Sequence, residues 1–354
     1  MTDRILYVGS LRPGGNGRDR VALFEAAGCT VIPADRLPFM NRGSRIERSL
    51  AARFHIGRGP AGFDAALRAR AGQGGYDVVF VDKGVWVRPA TLRALKAGAT
   101  TGLAIHYTPD AQFLENRSRH FFAALPLYDL AVTTKPFEVD LYRAAGAREV
   151  RLIHQGHGAR LIPTPRDAVP PHLQSQVCFI GHCQPAYAAL LKPLAARVPL
   201  AIWGPGWTRY AQSHPWARDV VRGDGLYGPD YALALSGTHI AIGLLSKRIP
   251  ETTTTRSFEI PACGTLLLAE RTADHRALFA EDREAVFFDG AEELCAKAEH
   301  YLADEPARAA IAAAGLQRSR ADGHAIDRQF ATVIDWIAAR STLSLPERNT
   351  PCVD

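Results

Sequence analysis

Leu161-Ile-Pro-Thr-Pro-Arg-Asp-Ala-Val-Pro-Pro-His172 places four prolines in twelve residues. Proline fixes φ and has no N–H to donate, so this run sustains neither a helix nor a central strand. It reads as a linker, and what flanks it decides the fold. Upstream, strand-like apolar runs at 5–8, 30–32, 77–81, 101–105, 130–133 and 150–152 alternate with helical patterns such as 19–27, 62–70 and 89–96. Downstream the alternation restarts, with strands at 176–180, 200–203, 239–244, 265–269 and 285–288 and helical patterns between and after them. Strand–helix alternation of this kind builds parallel sheets covered on both faces. The expected architecture is α/β, with two Rossmann-like doubly wound domains facing across a cleft. The first spans 1–165 and the second 166–324. A last amphipathic pattern over 325–340, carried by Ile326, Phe330, Val333, Ile334 and Ile337, is expected to pack back on the first domain.

Composition sets the outer bounds. The 354 residues are 47% hydrophobic and 22% charged, which is ordinary for a globular chain and excludes intrinsic disorder. Basic residues exceed acidic ones by 42 to 36, and only six of the basic ones are Lys. Arginine suits phosphate and carboxylate recognition, and genomic base composition produces the same bias. No block of five like charges appears, so a nucleic-acid arm is not expected. The six cysteines (29, 178, 183, 263, 295 and 352) lack CxxC spacing and read as reduced thiols. The start, MTDRILYVGS, shows no signal-peptide pattern, and no run approaches a membrane span. A cytoplasmic protein is expected, with peripheral membrane contact left open.

In doubly wound domains ligands collect outside the carboxyl ends of the strands. The loop Gly9-Ser-Leu-Arg-Pro-Gly14-Gly15-Asn-Gly17 follows the first strand but fits neither GxGxxG nor GxxxxGK[ST]. Dehydrogenase and P-loop chemistry lose support, and Gly14 and Gly15 are left as a phosphate loop or a plain turn. The densest constellation is Lys247-Arg-Ile-Pro-Glu251-Thr-Thr-Thr-Thr255-Arg256-Ser-Phe-Glu259-Ile-Pro-Ala-Cys-Gly264. Threonine hydroxyls at Thr254 and Thr255, the Arg256 guanidinium, Lys247 and the free N–H groups of a helix start suit a diphosphate. Glu259, one turn into that helix, can accept from two vicinal ribose hydroxyls. The same residues have a structural reading, in which 252–257 caps the helix and Glu259 pairs with Arg256. No HExxH or short-spaced ligand set appears, so no metal is expected.

Glu251-x7-Glu259 followed by Ile-Pro-Ala-Cys-Gly264-Thr-Leu-Leu-Leu-Ala-Glu270 resembles the donor-binding signature of GT-B glycosyltransferases, in particular the CgeB-like (spore-maturation type) group related to glycosyltransferase family 4. Phe179-Ile-Gly181-His182 is similar to that group's first strand and glycine turn in the second domain, and Trp203-Gly204-x-Gly206-Trp207 to its base-side loop. The likeness also takes in Val81-Asp82-Lys83-Gly84 and the Tyr107-Thr-Pro-Asp110 turn, and runs over roughly 5–320. Three departures stand out: Pro185-Ala-Tyr187 where an Arg is common, Asp110 alone where two acids are common, and Gln155-Gly-His157 in place of Asn-Gly-x-Asp.

The resemblance implies transfer of a sugar from a nucleotide-diphosphate sugar to a hydroxyl acceptor, retaining and metal-independent, with no tightly bound cofactor. It implies that Glu259 holds the ribose, that Arg256, Thr254, Thr255, Lys247 and the Gly181-His182 turn meet the diphosphate, and that Trp203 and Gly204 line the base. Glu251, His106 and Asp110 are the implied catalytic residues, with Lys83 and Tyr107 on the acceptor side. The alternatives are a sugar-nucleotide epimerase or another enzyme on this architecture, and a catalytically silent nucleotide-sugar-binding protein.

Overall fold

The computed structural model describes residues 3–13 and 15–341. The chain forms two compact units, one from the residues up to His154 together with those from Phe330 on, the other from Gln155–Gln329. The division lies upstream of the expected boundary at 165. The proline stretch belongs wholly to the second unit, where Leu161, Val169 and Leu173 are buried in its core. Two short 3-10 turns, Arg166–Ala168 and Pro171–Leu173, absorb the prolines without needing their missing N–H groups.

In the first unit β1 (Arg4–Gly9), β2 (Thr30–Asp35), β3 (Tyr76–Asp82), β4 (Ala99–Thr108), β5 (Leu130–Thr133) and β6 (Val150–Leu152) form one parallel sheet in the order β2-β1-β3-β4-β5-β6. Every residue of β3 is buried, as a central strand covered on both faces requires. Pro33 sits in β2, at the sheet edge, where a missing N–H costs no ladder bond. Alternate side chains feed two separate cores. Leu6, Val8, Val79, Val81, Ala104 and Ala131 face one layer, and Ile5, Tyr7, Val78, Phe80, Ile105 and Tyr107 the other. The helix Ile326–Arg340 closes the second of these layers. Its Phe330 ring lies edge-on to Phe24, Phe80 and Tyr107 at 5.2, 5.7 and 5.7 Å between centroids.

In the second unit β7 (Ser175–Ile180), β8 (Leu200–Trp203), β9 (Val221–Gly223), β10 (Thr238–Gly243), β11 (Leu266–Glu270) and β12 (Val286–Phe288) form a parallel sheet in the order β12-β11-β10-β7-β8-β9. This is the doubly wound order that reverses between its first and fourth strands, and it puts the switch point between β7 and β10. The sequence pattern does not anticipate β9, because Val-Arg-Gly at a sheet edge has no apolar run to announce it.

At the carboxyl end of the first sheet a charge pair is sealed in. Arg20 Nη2 donates to Asp82 Oδ2 at 2.5 Å with both side chains buried, and Tyr7 donates to the same oxygen at 2.8 Å. The guanidinium also lies 4.8 Å from the Tyr107 ring centre. Gly9 belongs to this cluster by absence, since a Cβ there would fall 2.9 Å from the Asp82 Cβ. Removing one partner of a buried pair strands the other charge at a cost of about 3–5 kcal/mol, whereas replacing both with apolar groups is far milder. In urea titrations Arg20→Ala is therefore expected to lose that much stability, and Arg20→Met/Asp82→Leu to recover most of it.

Candidate functional site

The second unit's site is built at its switch point. β7 ends at Ile180 and β10 at Gly243, followed by Leu244, and the sheet leaves the carbonyls there open to other donors. Arg256 takes them: Nη2 donates to Leu244 O at 3.0 Å and Nη1 reaches Ile180 O at 3.5 Å. Its charge also lies 5.8 Å from the centre of the Phe179 ring. Gly181 has to stay small beside this cation–ring pair, because a Cβ there would fall 2.7 Å from the Phe179 Cζ. Arg256 Nε, Thr254 Oγ1 and Thr252 Oγ1 are all buried and make no hydrogen bond, so three polar groups in one segment await an acceptor or donor. Buried polar atoms are normally satisfied, which makes such a cluster informative.

Glu259 lies beside Arg256 on the short helix Arg256–Ala262. Its Oε2 accepts from Tyr231 at 2.6 Å, and the Thr255 hydroxyl also bonds this carboxylate. Burial raises the Glu259 carboxyl above the usual glutamate range, with the Tyr231 bond and the Arg256 charge working against it. Ser257 Oγ links the Thr254 N–H, at 3.0 Å, to His275 Nε2, at 2.8 Å, and His275 Nδ1 meets Glu270 O at 2.7 Å. That chain of contacts holds the threonine segment against β11.

Other expected residues fall elsewhere. The amides of Ser257, Phe258 and Glu259 close local turns onto Thr254 O and Thr255 O, so the first helical turn is not the open set of N–H groups anticipated from sequence. Lys247 pairs with Glu270, which also accepts from Leu245 N at 2.7 Å, so its ammonium is tied to the end of β11. Glu251 Oε2 accepts from Ser246 N at 3.2 Å and braces its own loop. The Gly181 turn is locked by its backbone: Gly181 N donates to Trp203 O at 2.9 Å, and Trp207 Nε1 donates to Gly181 O at 2.9 Å. Gly204, at φ +154°, must be glycine there, because a Cβ would lie 1.8 Å from Gly181 O. Trp203 is 3% exposed and packs in the core, so it supports the turn and offers no face for stacking on a base. His182 stays exposed on the turn.

In the first unit Lys83 and Asp110, singled out separately in the sequence, form an ion pair. Lys83 stands in the left-handed region at φ +68°, with its N–H on Tyr107 O at 2.8 Å. Tyr107 is buried at 1% exposure under Arg20, and burial pushes its phenol up to about 12, so it is a core residue and not a surface contact. His106 is likewise fully buried, with Nε2 3.0 Å from Tyr142 Oη and rings of Phe121 and Tyr128 around it. Packed in this way, it cannot reach a sugar. Gly15 caps the helix Asn16–Ala26, and its amide bonds Arg12 O at 3.0 Å. Gly14 lies outside the described residues.

Sequence reasoning missed Tyr231 and the Ser257–His275 contact. Tyr231 lies in the Pro229–Ser236 helix, far from Glu259 in the chain, and nothing local marks it. No described helix is long and apolar enough to cross a membrane.

Residues 184–335 match a family model described as glycosyl transferase-like. No curated protein matches the chain. Among solved structures, HepE of Anabaena in complex with UDP is similar over 95% of this chain and 100% of that one, with a TM-score of 0.65 and 13% identity. Sucrose-phosphate synthase from Thermosynechococcus elongatus matches over 96% and 100%, with a TM-score of 0.65 and 16% identity. A putative UDP-N-acetylglucosamine 2-epimerase from Listeria monocytogenes matches over 98% and 100%, at 0.58 and 11%. At these identities the likeness is one of fold. The architecture is that of GT-B proteins, two Rossmann-like α/β units, and the second unit carries the glycosyl transferase-like segment.

Burial lowers the His106 imidazole to about 3, so it stays neutral in the folded chain while an exposed histidine titrates near 6.5. Its contribution to stability is full above about 6.5 and is lost as the pH falls from there toward 3, where only the unfolded chain takes up the proton. Thermal melts over this range are expected to show a falling midpoint, and His106→Asn to flatten part of the fall.

Proposed function

We propose that this protein transfers a sugar from a nucleoside-diphosphate sugar to a hydroxyl group, and that the second unit binds the donor at the β7/β10 switch point. The observation that carries this reading is the Arg256 guanidinium held on the Ile180 and Leu244 carbonyls, with its Nε and the hydroxyls of Thr252 and Thr254 left without partners. Those groups suit the oxygens of a diphosphate. Glu259, steadied by Tyr231, presents a carboxylate for the ribose hydroxyls. The glycosyl transferase-like match over 184–335 covers all of these residues except the Ile180–Gly181 turn, and HepE, which shares the fold, was crystallised with UDP and with UDP-glucose.

The chemistry asked of the site is modest. As the glycosidic bond breaks, negative charge grows on the departing diphosphate, and donors already fixed in position stabilise it without having to reorganise. Arg256 supplies a permanent charge for this, and in our reading it removes the need for a metal. Glu251 stands eight positions before Glu259 on the loop leading into the site, and a spacing of this kind leans toward retention of configuration. For the acceptor we assign the Lys83–Asp110 pair of the first unit, with Asp110 orienting the hydroxyl.

Calorimetry with UDP tests the donor site. Arg256→Ala and Glu259→Ala are each expected to weaken binding by about 10- to 100-fold, the scale of a lost charge-assisted hydrogen bond, measured at a temperature where thermal melts show each variant to be folded. Unaltered UDP affinity in both variants would remove the assignment. Incubation of UDP-glucose with and without an acceptor mixture then separates transfer from epimerisation, since an epimerase forms product from the donor alone.

Acidity gives a second check. Because burial raises the Glu259 carboxyl, UDP affinity is expected to fall on acidification from a pH above the ordinary glutamate value of about 4.3. Glu259→Gln is expected to bind more weakly and to lose this acid limb.

A further inference from the structure

The helix Arg45–Phe54 is well specified at both ends yet contributes almost nothing to the core. Ser44 and Glu47 form a reciprocal capping box at its start, and His55 ends it in the left-handed conformation. Ala51 is its one buried residue. Ile46, Leu50 and Phe54, spaced by four, form a stripe that points outward at 73%, 37% and 57% exposure. Ile56, just beyond the helix, is also exposed. The stripe is bordered by cation. Residues 42–58 hold five arginines and a single acid, Glu47, which is already engaged by its cap and by Arg58 at 3.1 Å. Arg45, Arg48 and Arg53, and Arg117 and Arg119 on a neighbouring segment, make no ion pair among the described residues. Where the helix ends, Arg53, Phe54, His55, Ile56, Arg117 and Arg119 line a cavity of about 340 Å³.

We propose that this face of the first unit docks on an anionic lipid bilayer, with Ile46, Leu50 and Phe54 entering the acyl boundary and one phosphate headgroup seated in the cavity between Arg53, Arg117 and Arg119. The combination selects the partner. A nucleic acid would use the arginines but leave the apolar stripe in water. An acidic protein surface would need its own apolar ridge to fill the same strip. A bilayer offers acyl chain and phosphate side by side, at the depths where an amphipathic helix lying in the interface places its two faces. Guanidinium groups match phosphate in a two-pronged geometry, which suits Arg over Lys at such a surface. The helix lies in the connection that follows the carboxyl end of β2, after a short helix Leu37–Met40.

Co-sedimentation of the full chain with vesicles tests this without any recourse to turnover. Vesicles of phosphatidylcholine with about one third phosphatidylglycerol are expected to carry the protein down, and pure phosphatidylcholine vesicles to leave it in solution. Leu50→Ser/Phe54→Ser is expected to lower the partition coefficient about tenfold or more at an unchanged melting temperature, as both side chains are exposed. Arg45→Glu/Arg48→Glu/Arg53→Glu is expected to lower it by at least as much and to abolish its salt dependence. The proposal is overturned if the wild-type chain ignores anionic vesicles, or if the serine variant binds them as well as wild type. It is also overturned if Phe54→Ser dissolves a concentration-dependent dimer in a chain that binds no vesicles, since the face would then belong to a second copy.

Discussion

A parallel sheet runs out of hydrogen-bond partners at its carboxyl end, and the site in each unit follows from how those last groups are met. In the second unit the open carbonyls of Ile180 and Leu244 are met by one arginine, Arg256, brought back by the loop that follows β10. A single guanidinium that bonds two strand ends is held in place by backbone, and it is held where the sheet reverses its winding. Gly181 has to be small beside the Phe179 ring, Gly204 has to be glycine to lie against Gly181 O, and the Trp207 indole N–H pins the same turn. Arg256 Nε and the Thr252 and Thr254 hydroxyls are left buried and without hydrogen-bond partners beside that scaffold.

The first unit meets the same constraint with a buried salt link. Arg20, Asp82 and Tyr7 close the carboxyl ends of β1 and β3, and Gly84 N and Lys83 N return to Asp82 O and Tyr107 O at 2.9 and 2.8 Å. That turn throws Lys83 into the left-handed region and toward Asp110. Two side chains with no periodic relation in sequence thus become one ion pair, because the strands that carry them are neighbours in the sheet. Electrostatic character differs between the units accordingly. In the second the arginine keeps unsatisfied capacity; in the first the buried arginine is spent on Asp82.

Exposed chemistry in the first unit lies apart from this cluster, on a helix that the β2–β3 connection adds ahead of its crossover helix Arg58–Gln73. It is stabilised by its own caps and not by packing, which frees its apolar side from the core. Arg45, Arg48, Arg53, Arg117 and Arg119, which make no ion pair among the described residues, are gathered around it. Arginine excess in the composition therefore has at least two structural uses, single buried guanidiniums at strand ends and an exposed basic border around an apolar stripe.

The sequence by itself determined the strand–helix alternation and so the α/β class, since apolar period and glycine or proline punctuation are local properties. Leu130–Thr133, Val150–Leu152 and Leu200–Trp203 have the bounds that the local pattern gives them. It also marked out Thr254, Arg256 and Glu259, because close spacing in one loop guarantees proximity in any fold. Tertiary structure decided what local pattern cannot encode. Burial is a property of neighbours, and neighbours turned Trp203, Tyr107 and His106 from candidate contacts into core residues. Pairing across the sheet joined Lys83 to Asp110 and Lys247 to Glu270, and the packing of two helices joined Tyr231 to Glu259, contacts between segments that no periodicity relates. Where the proline stretch lies was also a tertiary outcome. Proline forbids regular structure but not packing, and two apolar residues of that stretch, Leu161 and Val169, found a core to enter together with the adjoining Leu173.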